Sequence, residues 1–375
     1  MPNLRQYLRS ATWPLLLSVL VGCEGIYDDE ENCESNYYVR FISDMNLYFV
    51  DAFEKEVNSV AIYAFDADST LALVKEASGD VLHPAEGKYA MDISELPAGH
   101  YHIVAWGGLD GSNGFELPEM KVGKSKLSDM KCLMKRTEGA DGSITVSTDL
   151  DPLFHGSMDI DIDEDAEPGT YYSDIRLTKN TNSMTIVLHQ LGSEPLSQDD
   201  YSFRIDADNG HIINHDNSLQ TDDQLFTYLP WNISEGVVGS STDSLSTDAY
   251  RGPLSPAAYA EAAAGATRVE DGSVAILVAN MTVSRLMKQD YVSTTYPRLV
   301  ITHKDKSEES PVISIPIVDY TLLVKGRYDG IATDQEYLDR QKDYNITFFL
   351  NDGKWVSSEI IINSWRIVLN NKDLQ

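Results

Sequence analysis

Apolar side chains recur at every second position in one short run after another along this chain. Tyr344, Ile346, Phe348 and Leu350 alternate with Asn345 and Thr347, and Asn351-Asp352-Gly353 follows as a turn. Tyr201, Phe203 and Ile205 stand opposite Ser202, Arg204 and Asp206, and Met184, Ile186 and Leu188 repeat the pattern. Successive side chains of a β-strand point to opposite faces, so this period predicts half-buried strands. Two runs are apolar on both faces. Val60, Ile62 and Ala64 alternate with Ala61, Tyr63 and Phe65, and Tyr101, Ile103 and Ala105 alternate with His102, Val104 and Trp106. Such strands need cover on both sides.

The runs are bounded by Gly, Asn, Asp and Pro, which supply turns. Further strands are expected at Ile144-Thr145-Val146, from about Ile175, and at 274–283, 298–303 and 312–318. Asp208-Asn209-Gly210 reads as a hairpin turn, because Gly and Asn tolerate positive φ. In the last run Ile361, Trp365, Ile367 and Leu369 fall on one face of a final strand. Helix signals are few. Ser255-Pro256 opens an Ala-rich stretch that Gly265 closes, and Thr333-Asp334-Gln335-Glu336 is a capping box leading to about Lys342. Residues 234–252 read as a long polar loop.

The expected fold class is all-β, with two β-sandwiches in tandem and a few short helices. A length of 375 residues suits two domains. The acidic stretch from Asp159 to Asp165, closed by Pro168-Gly169, places their division near 166. That gives 37–166 for the first sandwich and 167–375 for the second.

The N-terminus carries a different signal. Arg5 and Arg9 precede the apolar run Leu15-Leu16-Leu17-Ser18-Val19-Leu20-Val21, and Gly22-Cys23 closes it. A basic start, a short apolar run and a small residue before the cut make a secretory signal over residues 1–22. The apolar run is about half the roughly 20 residues that span a bilayer. Leu20-Val21-Gly22-Cys23 resembles a bacterial lipobox, in which cleavage falls between Gly22 and Cys23 and the Cys23 thiol is acylated. One acyl chain holds weakly, at about 0.8 kcal/mol per buried CH2, and stable anchoring takes two or more. Lipoproteins of this kind carry up to three on one Cys. Residues 23–36 follow as an acidic flexible tether that includes Asp28, Asp29, Glu30 and Glu31.

A net charge of −30 argues against a nucleic-acid partner, which calls for a basic footprint. The chain has three cysteines. With Cys23 acylated, Cys33 and Cys132 remain, and an oxidising compartment makes them candidates for a disulfide, with two separate thiols as the alternative.

No catalytic motif is present: there is no H-E-x-x-H, G-x-S-x-G or P-loop. The chain is therefore expected to be no enzyme, with no metal and no cofactor other than the lipid on Cys23. His100 and His102 stand two apart on one strand face but lack a third ligand nearby. The run from Asp159 to Asp165 lacks the glycine and distal glutamate of an EF-hand loop. Trp106, Trp231, Trp355 and Trp365 would serve a glycan-binding surface if exposed and clustered, and would otherwise be core residues.

Several segments together resemble a known family. They are Asp51-Ala52-Phe53 leading into Val57–Phe65; Leu96-Pro97-Ala98-Gly99-His100-Tyr101 with Val104-Ala105-Trp106-Gly107-Gly108; Leu153-Phe154-His155-Gly156; Thr178–Asn182; Tyr337-Leu338-Asp339-Arg340; and the terminal Trp365 strand. Behind a lipobox, this ordered set resembles the FimB/Mfa-type fimbrial anchor lipoproteins of anaerobic Gram-negative bacteria. The resemblance implies two transthyretin-like β-sandwich domains. It implies an outer-membrane lipoprotein at the base of a fimbrium, facing outward, that tethers the shaft and helps limit its length. Shaft subunits of that family polymerise by donor-strand exchange. The implied partners are a fimbrial shaft subunit and, through the lipid, the outer membrane. Asp28–Glu31 resembles the signal that sends such lipoproteins to the outer face. The strand carrying Ile361, Trp365, Ile367 and Leu369 is the candidate for the shaft contact. A surface glycan-binding lipoprotein and a fimbrial tip or accessory subunit are the alternatives.

Overall fold

A computed structural model describes residues 35–85, 87–192, 195–238, 274–288, 297–305 and 311–369. The described residues open with β1 (Ser35–Ile42), β2 (Ser59–Phe65), β3 (Leu71–Ser78), β4 (Ala90–Asp92) and β5 (Gly99–Gly107). Four short strands follow: β6 (Phe115–Glu116), β7 (Lys131–Met134), β8 (Thr137–Glu138) and β9 (Ile144–Val146). Next come β10 (Phe154–Ile162), β11 (Gly169–Arg176), β12 (Thr178–Lys179), β13 (Thr181–Gln190), β14 (Tyr201–Asn214), β15 (Leu219–Tyr228) and β16 (Asn232–Val238). The chain closes with β17 (Val274–Ser284), β18 (Arg298–His303), β19 (Ile313–Pro316), β20 (Asp343–Asn351), β21 (Lys354–Ile362) and β22 (Trp365–Val368). Three short α-helices are seen among the described residues: α1 (Phe53–Glu56), α2 (Ile317–Leu322) and α3 (Asp334–Arg340).

The architecture is all-β, in two sandwiches. In the first, the sheet β11-β1-β4 packs on the sheet β12-β10-β5-β2-β3. The apolar alternation decides what lies between them. Val60, Ile62, Ala64, Tyr101, Ile103 and Ala105 join Val39, Phe41 and Ile175 in one buried cluster. In the second, β16-β17-β13-β20-β21-β22 packs on β19-β18-β14-β15-β9-β8.

The other faces of β2 and β5 show why both were apolar. Ala61, Tyr63, Phe65, Val104 and Trp106 belong to the same core as Ile186, Phe203, Ile301 and Phe348 of the second sandwich. Phe115, Met130, Cys132 and Met134, from the segment after β5, sit in this core too. That segment serves the second sandwich: β7 pairs with β14, and β9 pairs with β15. The outer face of the first sandwich's larger sheet is therefore continuous with the core of the second, while the first keeps a separate core between its own sheets.

Several expectations change. The sequence reading divides the chain near 166, yet β11 returns to pair with β1 in parallel over eight residues, from Ser35↔Gly169 to Ile42↔Arg176. Asp208–Gly210 is not a hairpin turn. β14 runs through it with register shifts between Ala207 and Ile212, and the chain reverses at 215–218 instead. Gly210 has φ +89° and lies so close to Ser284 that a Cβ there would stand 2.7 Å from the Ser284 Cβ. A glycine at positive φ is equally a bulge residue, and here it makes the bulge. Residues 234–238 lie in β16 and not in a loop; the rest of that stretch and the Ala-rich helix lie outside the described residues. α3 starts as predicted: the Glu336 backbone N–H donates to Thr333 Oγ1 at 3.0 Å. The Glu336 carboxylate caps Ala332 N instead of completing the box.

Candidate docking surface

The final strand of the sequence reading is a hairpin. Asn363 and Ser364 have φ of 47° and 71°. Two successive residues at positive φ make a two-residue turn of the primed kind. Ile362 pairs with Trp365 across it, and Glu359 with Val368 at the far end. Ile361 therefore lies on β21, and Trp365 and Ile367 lie on β22. They are not one strand face. Leu369 just beyond is buried in the core.

Among the described residues, β22 is the outermost strand of its sheet. In a two-residue hairpin the closing pair, Ile362 and Trp365, exchanges both hydrogen bonds, and the pairs then alternate. Arg366 and Val368 therefore turn their backbone N–H and C=O away from β21, towards the open edge. Val368 is 64% exposed. Trp365 is half-covered: the Arg327 guanidinium stands 5.2 Å from its ring.

Across a cleft from the hairpin turn at Asn363 lies an apolar lip. Tyr48 is 80% exposed, and Phe49 and Val50 are also exposed. Asn46 shapes the loop: its Oδ1 accepts from Tyr48 N and Val50 N, and its Nδ2 donates to the Ser43 and Val50 carbonyls. Phe49, with φ +55°, tucks under the Arg340 guanidinium at 4.0 Å. Arg340 also donates to the carbonyls of Asp44 and Asn46, which ties the lip to α3 of the second sandwich. A cleft of about 430 Å³ separates lip and sheet, with Leu47, Tyr48, Tyr328, Tyr344 and Asn363 among its walls. Sequence reasoning missed this lip, because Leu47–Val50 looks like a strand. The signal available was Asn46, an organiser of local turns.

The remaining predicted residues lie elsewhere. Gly22, Cys23, Asp28, Asp29, Glu30, Glu31 and Cys33 are outside the described residues. Cys132 is a free thiol, fully buried in the shared core. Burial pushes it well above the usual thiol range, with Glu116 adding to the effect, so it stays protonated and inert.

The histidines and the acidic run, read as separate features, meet. The β5–β10 register sets His100 opposite Asp161 and His102 opposite Asp159. Each Nδ1 lies 2.7 Å from its partner carboxylate. Asp159 and Asp161 are thus strand residues in cross-strand pairs, not linker. Among the described residues no group of three or more His, Cys, Asp or Glu could hold a metal ion.

The tryptophans do not cluster. Trp106 is buried, with its indole N–H 3.4 Å from the Met130 sulfur. Trp355 packs edge-on against Phe348. Trp231 precedes β16 and Trp365 lies on β22, at opposite edges of a six-stranded sheet. Five strand spacings separate them by about 24 Å.

Comparison with known proteins places this geometry. The family model for fimbrillin-A associated anchor proteins Mfa1 and Mfa2 matches residues 30–371. The minor fimbrium anchoring subunit Mfa2 of Porphyromonas gingivalis is 25% identical over 227 residues, which cover 60% of this chain and 64% of that protein's length. A Bacteroides thetaiotaomicron structure, described as a candidate polysaccharide-binding protein, superposes with a TM-score of 0.68 at 25% identity, covering 91% of this chain and all of that one. The Porphyromonas gingivalis Mfa2 structure has the same fold, with a TM-score of 0.59 at 19% identity over 90% of this chain and all of that one. The chain belongs to the family of fimbrillin-A associated anchor proteins.

Proposed function

We propose that this protein is an outer-membrane lipoprotein that holds a fimbrium to the cell surface. The observation that carries the reading is the family match over 30–371, which begins just behind an apolar run ending in Gly22-Cys23. Cleavage between Gly22 and Cys23 leaves an N-terminal cysteine for acylation. Asp28, Asp29, Glu30 and Glu31 then mark the chain for the outer face; of the tether expected over 23–36, Ser35 and Asn36 already belong to β1. The work is mechanical, and no bond-making step is assigned to any side chain.

The shaft contact is assigned to the open edge of β22. An incoming extended segment would bond to the outward backbone groups of Arg366 and Val368, the mode in which main-chain hydrogen bonds give affinity and alternate side chains give specificity. Tyr48 and Val50, exposed across the cleft from the hairpin turn, are proposed to cover its apolar side chains. As the terminal unit of the assembly, the anchor also sets a limit to shaft growth.

The test is Val368→Pro. An edge strand tolerates proline where its N–H faces solvent, so the hairpin should persist. The variant should keep its far-UV spectrum and lose co-purification with the shaft subunit. Undiminished co-purification would refute the β22 contact.

The glycan-binding reading draws on the description of the Bacteroides thetaiotaomicron neighbour. It has less support, because Trp106 is buried and Trp231 and Trp365 stand at opposite sheet edges.

A further inference from the structure

Where a strand is pulled decides whether its hydrogen bonds break one at a time or together. A pair peeled from one end opens like a zipper. A pair pulled along its axis in opposite directions must break all its bonds at once.

β1 is the first strand after the tether, and it is the middle strand of its sheet. It runs parallel to β11 for eight residue pairs and antiparallel to β4 for three. Its N-terminal end, at Ser35, lies beside Gly169, and its C-terminal end, at Ile42, lies beside Arg176. The second sandwich is at the C-terminal end. Leu177 N donates to the Ile42 carbonyl, the chain passes on into β12 and β13, and Asp44, Asn46 and Glu56 are held by Arg340 and Lys342. A pull on Ser35 away from the second sandwich is therefore directed along β1 and shears the whole ladder.

Side chains lock the same register on both faces. Tyr37 stacks on Tyr171 at 5.0 Å, and Tyr38 stacks on Tyr172 at 5.6 Å. Arg40 pairs with Asp174 at 2.7 Å and lies over the Tyr172 ring. Arg176 pairs with Asp44. Cross-strand pairs of this kind add to the ladder and cannot slip singly. Tyr171 and Tyr172 are exposed apolar residues on an edge strand. The stacking gives them a purpose.

The second sandwich repeats the arrangement. β13 and β20 are parallel over eight pairs, from Ser183↔Asp343 to Gln190↔Leu350. β21 is antiparallel to β20, and β22 to β21, so β13 and β22 point the same way. A load entering at Thr181 and leaving at Val368 pulls opposite ends of strands that run in one direction, which again is shear.

We propose that the fold is a pair of mechanical clamps in series, β1–β11 and β13–β20, oriented to resist tension between the N-terminal tether and the C-terminal edge. The entry and exit points of the load rest on the anchor reading; the direction of the ladders does not.

The test is single-molecule pulling on the lipid-free mature chain in two directions. With handles at the N- and C-termini the clamps are sheared. With handles at the N-terminus and at Asp165, just ahead of β11, β1 and β11 are peeled from their shared N-terminal ends. The rupture force should be several-fold higher in the first direction. Arg40→Ala should lower the shear force and leave the peeling force nearly unchanged. Equal rupture forces in the two directions, or release of β1 at low force on end-to-end pulling, would overturn the proposal. Neither outcome depends on lipid or shaft, so a failure of the anchor reading would appear in cell fractionation and leave this force ratio as it is.

Discussion

His155 sits where the two sandwiches meet. Its Nε2 lies 2.8 Å from the His215 carbonyl, at the β14–β15 turn, and its ring meets Trp106 edge-on at 4.6 Å. Around the same turn, Asn180 Nδ2 donates to Asn217 Oδ1 at 2.7 Å and Arg285 donates to the Asn217 carbonyl at 3.0 Å. Arg285 is itself fixed by Asp339 through two bonds of 2.7 Å. Burial lowers the His155 imidazole to about 4 from 6.5, and the Arg285 charge adds to the effect. A base whose folded value is depressed stays neutral in the fold while the unfolded chain takes up a proton. Its full contribution is present above 6.5 and is lost as pH falls towards 4. At 1.36 kcal/mol per unit, the total is about 3 kcal/mol. Between pH 7 and pH 4.5, His155→Gln should lose about 2 kcal/mol less unfolding free energy than the native chain. Urea titrations at the two pH values check it, and equal losses would contradict it. Cys132 makes the opposite point at this scale. It drew attention as a thiol, and it serves as a small apolar core residue.

The β21–β22 hairpin shows how an element can be hidden by its turn. Asn363 and Ser364 both hold positive φ with no glycine between them. Asn363 is held in place, since its Oδ1 accepts from Asn345 N at 2.9 Å and its N–H donates to the Asn345 carbonyl at 2.8 Å. Ser364 bears a strain that glycine would not. Ser364→Gly should stabilise the protein by about 0.5–1 kcal/mol, read as a shift in the urea midpoint at constant slope. No gain would mean that the turn is not strained. The alternation in β2, β5, β13, β14 and β20 was legible because burial on a chosen face is written in every second residue. Turns were legible only where the local code was unambiguous, as at Asp352-Gly353, with φ of 49° and 68°. Asp208–Gly210 carries the same code and forms a bulge, because Ser284 packs against Gly210 and its hydroxyl donates to the Gly210 carbonyl at 2.8 Å. That contact is 74 residues away in sequence, and no local reading contains it. The same holds for β7 and β9, whose partners lie in the other sandwich.

At the scale of the molecule, the outer face of the first sandwich packs into the core of the second, and Arg340 and Lys342 bind the first sandwich's loop to the second. The result is a single packed unit. The candidate site has two parts. The proposed attachment signal is local in sequence: apolar run, small residue, cysteine. The docking edge was only half legible, because which strand lies outermost is decided by pairings across the whole chain. Cys23 is the residue by which we propose the cell holds the fimbrium. Cys23→Ala, expressed in the native cell, tests it most directly, by immunoblotting the outer-membrane and culture-medium fractions for this protein and for the shaft subunit. Both should move from membrane to medium together, still associated. Retention of the variant and its shaft in the outer membrane would contradict it.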